Sequence, residues 1–269
     1  MPVSIDPSAT KVIRGATLRR DPAREECFTV VQNQSEMHDY ADMSDIARRQ
    51  RLHRHMHNEM QNLEIVAQSI VDFPEMAWEL RMEMARQCWD EVRHTQLCYR
   101  RLQEVGGHKG EFPVMNWEWG VVCMMDSLAA RLSVQNRTFE GGEMDLLRQL
   151  SQVWKEAGDE TTGELLDGML ADEVQHVRFA NIWFKRMAKE DPRVLLKVAE
   201  GVAYLKKVAE AIAPERGETN AVGVSLTDWA HIETYANVED RRLAGFTERE
   251  IEQILTQERE NAARSRAKS

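Results

Sequence analysis

Two stretches of this chain read Asp-Glu-Val-x-His: Asp90-Glu91-Val92-Arg93-His94 and Asp172-Glu173-Val174-Gln175-His176. In each, a carboxylate and an imidazole stand three residues apart, so on a helix both leave the same face and can reach one cation. Each copy also has a glutamate about one long helix upstream. Glu59 lies 32 residues before Glu91, and Glu140 lies 33 before Glu173. Four carboxylates and two imidazoles are the donor count of a carboxylate-bridged two-metal site inside a helical bundle. Oxygen and imidazole donors without thiolate suit iron or manganese, not copper(I) or structural zinc. Four carboxylates also offset two divalent cations, which makes their burial tolerable. A single Glu-x-x-His carries no weight, because chance supplies about one in a chain of this composition. The repetition with matched upstream glutamates carries the argument.

Long stretches free of proline and glycine favour helix for the elements that must position these residues. Helical patterning starts at Ser44-Asp45 and runs to about Val71, with Leu52, Met56, Glu59, Leu63, Val66 and Ile70 facing inward. Asp72-Phe73-Pro74 breaks the chain, and a second helix reaches about Val105 before Gly106-Gly107 stops it. Its inward positions include Leu80, Met84, Cys88, Glu91, His94 and Cys98. A third helical region begins near Trp117. Gly141-Gly142, directly after Glu140, predicts a kink or π-bulge there. The fourth runs from Thr161 to about Lys189. The two motif-bearing halves, about 45–105 and 117–189, read as a duplicated helical hairpin and hence as an all-α four-helix bundle. Another helix is expected over 193–213, then an irregular Gly/Asn-containing stretch and a charged helix from Thr247. Residues 1–44, with Pro2, Pro7 and Pro22, read as an extended arm over the bundle. Residues 256–269 read as a frayed basic tail, and the domain bounds 45–255 follow from a resemblance given below.

Other residues compete for roles at the site. Glu64 is five positions past Glu59, too far along the axis and on another face, whereas Glu143 shares a face with Glu140 as an added or alternative ligand. His53, His55 and His57 read as surface residues or as supports behind a ligand set that is already full. Met56, Leu63, Met84, Met144 and Met169 lie one turn from ligands, where they either line a substrate cavity or fill the core. Arg137, one turn before Glu140, needs an acid partner or an anionic substrate if buried.

The net charge of −10 over 269 residues excludes an overall nucleic-acid-binding surface. The local basic run Arg48–His55 reads as a solvated helix face in preference to a phosphate patch. The four cysteines have neither disulfide nor zinc spacing, and Cys88 and Cys98 read as reduced, buried residues. With no signal-peptide pattern and no apolar run of membrane length, a soluble cytoplasmic protein is expected.

Asp90 to His94 resembles the Asp-Glu-x-Arg-His signature of the ferritin-like di-iron carboxylate proteins. These include rubrerythrin, the ribonucleotide reductase small subunit, acyl desaturases and bacterial multicomponent monooxygenases. The second copy departs from it at Gln175, which touches an outer salt bridge and not a ligand. Phe139-Glu140-Gly141-Gly142, Asp172 to Val177, Trp183-Phe184 and Asn237 to Phe246 resemble an uncharacterised ferritin-like family. That family is distantly similar to the tRNA hydroxylase of a modified adenosine, and the likeness spans about 45–255. The resemblance implies that the C-terminal segment belongs to the bundle domain. It also implies that Glu59, Glu91, His94, Glu140, Glu173 and His176 hold two irons, or a manganese–iron pair, with O2 as co-substrate. Asp90 should then hydrogen-bond His176, and Asp172 His94, to orient each ring. The implied activity is that of a di-iron oxygenase or oxidase acting on a small organic substrate, with a reductase or ferredoxin as external electron donor. A tRNA-modifying hydroxylase is a second reading, opposed by the acidic charge. A non-catalytic iron-handling or peroxide-protective bundle is a third. A homodimer formed through the arm or the C-terminal helices is expected.

Overall fold

The computed structural model describes residues 9–215 and 236–266, those beyond 260 as backbone alone. Among the described residues the fold is all-α apart from one small hairpin, and its main feature is two packed helix pairs. The chain divides into two compact units. One takes residues up to Gln135 together with the segment starting at Pro192; the other takes Asn136–Asp191 and the C-terminal segment.

In the first unit α1 (Asp45–Asp72) and α2 (Trp78–Glu104) pack as a hairpin, close to the bounds expected from their stop signals. A connection this short makes the two helices antiparallel. α3 (Trp117–Val122), α4 (Leu128–Leu132) and α7 (Val194–Ile212) also belong to this unit. α1 is buried on two faces. Leu52, Met56, Glu59 and Val66 form the expected stripe, whereas Leu63 and Ile70 are only half-buried. His53, His57 and Gln61 are buried as well. Both histidine rings sit near Phe28 of the arm, and Gly110 N, in the loop after α2, donates to His53 Nε2 (3.0 Å). Burial lowers the pKa of His53 to about 4, so the ring is neutral and accepts this bond. The surface placement expected for His53 and His57 is therefore corrected.

The N-terminal arm is more structured than its proline content suggested. β1 (Thr10–Ile13) and β2 (Ala16–Arg19) pair antiparallel, with Ile13 opposite Ala16. Arg14 and Gly15 both take positive φ, as a two-residue turn matched to strand twist requires. Leu18, fully buried, packs so closely on α3 that a Cβ at Gly120 would come within 3.0 Å of it. The basic run on α1 is neither a solvated face nor a phosphate patch, because its arginines clamp the arm. Arg48 Nε donates to Met43 O (2.9 Å), Arg51 Nη2 to Tyr40 O (3.0 Å), and Arg54 pairs with Asp39 (2.6 Å).

In the second unit α5 (Gly141–Glu156) packs on α6 (Glu160–Glu190). A π-helical segment, Ser133–Glu140, leads into α5 and ends directly before the glycine pair that predicted a kink or bulge. α8 (Val238–Leu243) and α9 (Glu248–Arg266) close the chain. Asn237 caps α8, Gly245 ends it at φ +81°, and Phe246 joins Met144, Val174, Val177 and Ile251 in one apolar core. This gives a packing reason for the motif from Asn237 to Phe246. α9 continues to Arg266, past the point where the tail was expected to fray. The irregular stretch expected after α7 lies largely outside the described residues. Among the described residues, no helix is long and apolar enough to cross a membrane. Cys98 is buried as expected, but Cys88 is only half-buried.

Candidate metal centre

Each unit holds one triad of buried metal-type donors. In the first, Glu59 from α1 and Glu91 and His94 from α2 are 0%, 0% and 1% exposed, and each offers a ligand atom within 4.8 Å of the others. His94 Nδ1 lies 3.4 Å from Glu59 Oε2 and 3.3 Å from Glu91 Oε2. One turn before Glu91, Gln87 Nε2 donates to its Oε1 (3.1 Å) and holds the carboxylate in place. His55 Nε2 faces Glu59 Oε1 at 2.8 Å. Neither Glu59 oxygen receives a well-formed hydrogen bond. A fully buried carboxylate in that state is costly unless a cation completes it, so the donor set fits a metal ion.

The second triad repeats the plan. Glu140 at the end of the π segment and Glu173 and His176 on α6 are 0%, 0% and 2% exposed, again with ligand atoms within 4.8 Å of each other. His176 Nδ1 lies 3.2 Å from Glu173 Oε2, so the same ring nitrogen faces carboxylate in both units. Asn136, one turn before Glu140, donates from Nδ2 to Glu140 Oε2 (2.9 Å) and to the His176 carbonyl (3.5 Å). The π segment thus places a holding group and a donor on one face.

The competing residues are also placed. Glu64 is engaged by Arg24, which donates to both its oxygens (2.8 and 2.7 Å), to Asn116 Oδ1 (2.8 Å) and to His57 Nε2 (3.3 Å). Burial and the neighbouring Arg24 charge lower the pKa of His57 to about 3. Glu143 is half-buried in the first turn of α5. Asp90 is buried, with Arg93 Nη2 at 2.5 Å and Arg86 at 3.5 Å, while Asp172 is half-buried. Met56, Met84 and Met169 are buried, and Met144 belongs to the apolar core of the second unit.

Arg137 has an acid partner of its own. Its Nη2 donates to Glu250 (2.5 Å), and the guanidinium stacks on Phe184 (4.4 Å) and Phe246 (5.3 Å). Partial burial would raise the pKa of Glu250, but hydrogen bonds from Thr247 and Lys185 and the charge of Arg137 hold it at about 2, against an ordinary 4.5. Stability from this depressed carboxylate is full above pH 4.5 and is lost as pH falls towards 2. Glu250→Gln should cost about 1–2 kcal/mol at pH 7 after allowance for solvent screening, and the difference from wild type should vanish near pH 2. Thermal melts at both pH values check this, and equal melting at pH 7 would show the pair to be energetically silent.

Two residues of this region gave no motif signal. Arg24 joins the arm to α1 across 40 positions, a separation that no local pattern reports. Glu118 on α3 has its pKa raised to about 7 by burial and by the charge of Glu59. No curated protein and no solved structure matches the chain. Residues 5–252 do match the model of the family described as "Protein of unknown function (DUF455)", and the chain belongs to that family.

Proposed function

We propose that the two triads act together as one carboxylate-bridged two-metal centre, and that the protein is a non-haem di-iron oxygenase or oxidase acting on a small organic molecule. The observation that carries this reading is the matched pair of buried Glu/Glu-x-x-His triads, each with its imidazole Nδ1 turned towards carboxylate. Two helix pairs that each bring one such triad are the ingredients of a ferritin-like bundle, and membership of that superfamily is part of the same proposal. An iron pair, when bound, supplies reduction of dioxygen coupled to a two-electron oxidation of an organic molecule. In a hydroxylation one oxygen atom enters the product and the other leaves as water. Two electrons and two protons then come from an external donor of the reductase or ferredoxin class. The protein's part is positioning and exclusion of water: Gln87 and Asn136 hold Glu91 and Glu140, and full burial keeps bulk solvent from the donors.

Aerobic iron reconstitution with metal counting tests the reading. Two irons per chain and a transient visible absorption on exposure to O2 are expected. One iron per chain would leave only separate triads, and a folded protein that takes up no metal would end the proposal. A gel shift with tRNA separates a nucleic-acid substrate from a small molecule.

The proposal extends to Asp90 and Asp172, each orienting the imidazole of the other triad: Asp90 with His176 and Asp172 with His94. Asp90→Asn should weaken metal binding about 10–100-fold with helix content unchanged. Equilibrium dialysis against ferrous iron measures this, and unchanged affinity would remove the role.

A further inference from the structure

One cavity of the first unit, ≈ 290 Å³ in volume, is walled by three parts of the chain. The arm contributes Met37 and Asp39, α1 contributes Arg54 and Asn58, and the first turn of α3 contributes Trp117 and Glu118. Its size is at the small end of ligand pockets. Asn58 of its lining precedes Glu59 on α1, and the Glu118 carboxyl lies within the field of Glu59. The arm's wall is fixed in place. Val30 and Val114 form a bridge, with Val114 N donating to Thr29 O (2.9 Å), and Asn33 caps the turn that leads to Met37.

Most of the cavity's charge is already balanced. Arg54 is paired with Asp39, and His57 is held neutral by burial. Glu118 differs. Among the described residues, none donates a hydrogen bond to its half-buried carboxyl or forms an ion pair with it. A carboxyl facing a cavity without a partner has acceptor sites that an N–H-bearing cation would complete. The apolar surfaces of Met37, Met115 and Trp117 call for hydrocarbon, and an indole face also favours a cation.

We propose that this cavity binds a small organic amine, with its ammonium group on Glu118 and its apolar body against Trp117 and Met115. Assignment of that amine as the molecule oxidised rests on the di-metal reading, whereas its binding does not. The amine class is therefore testable on metal-free protein.

Calorimetry on the full chain, metal-free and iron-loaded, with benzylamine, benzyl alcohol and benzoate as probes, decides the matter. Benzylamine should bind both forms at least tenfold more tightly than benzyl alcohol, and benzoate should not compete. Glu118→Gln should reduce benzylamine affinity to that of the alcohol while iron content stays the same. Met115→Phe, which narrows the cavity without touching charge, should weaken both ligands and covers the case in which the first variant misfolds. Equal amine and alcohol affinity in wild type, or amine affinity indifferent to both substitutions, would overturn the proposal. Amine binding without iron uptake would end the di-metal reading alone, and two irons without amine binding would end this one alone.

Discussion

Glu59→Gln is expected to cut iron loading from two ions per chain to one at most and to weaken metal affinity at least 100-fold, on the order expected when a buried ligand is lost. Glu59 is fully buried, and neither of its oxygens receives a well-formed hydrogen bond. In the metal-free protein that carboxylate is a cost, which glutamine of the same shape relieves in part. The metal-free variant should therefore melt no lower than metal-free wild type and gain about 1 kcal/mol. With ferrous iron a thousandfold above its dissociation constant, wild type should gain about 4 kcal/mol that the variant does not. Metal analysis and melts with and without iron read both signs. A variant that still loads two irons, or that is clearly less stable without metal, would show Glu59 to be a structural acid.

Arg241→Ala should cost about 3–5 kcal/mol, the range for leaving one member of a buried ion pair alone. Arg241 and Asp145 are 5% and 4% exposed, and Arg241 Nε donates to both Asp145 oxygens at 3.1 Å. Its Nη2 also donates to the carbonyl of Gly141 (2.9 Å), the residue after Glu140, and the guanidinium lies 5.0 Å from the Phe246 ring centre. Burial pushes the Asp145 pKa up despite the Arg241 beside it, so desolvation outweighs the pairing. The pair is thus expensive to break without being a large net source of stability. Two measurements follow from this. Urea unfolding should show the full loss for Arg241→Ala and a smaller one for Asp145→Leu combined with Arg241→Met. Iron binding should weaken in the single variant, because the Gly141 carbonyl that follows Glu140 loses its clamp. Equal stabilities of the single and double variants would refute the buried-charge account.

The donors were legible in the amino-acid sequence because their signals are local. Glu-x-x-His is read within one helical turn, and the spans from Ser44 to Val71 and from Pro74 to Val105 end at stop signals that act on the backbone beside them. Gly141-Gly142 marked the π segment for the same reason, since glycine weakens the regular helix where it stands. The second buried face of α1 was not legible. His53, His57 and Gln61 are polar, and distant segments, the arm and the loop after α2, lie against the two histidines. Pairings such as Arg24 with Glu64 and Arg241 with Asp145 join residues 40 and 96 positions apart, which no periodicity reports. Sequence alone determined which side chains can do metal chemistry, because ligand type and helical spacing are properties of the chain itself. Tertiary structure decided what packs against the rest of α1: an arm clamped by arginines, and a cavity with one unmatched acid. Those depend on which distant segments share a buried space, and that is settled only when the chain packs.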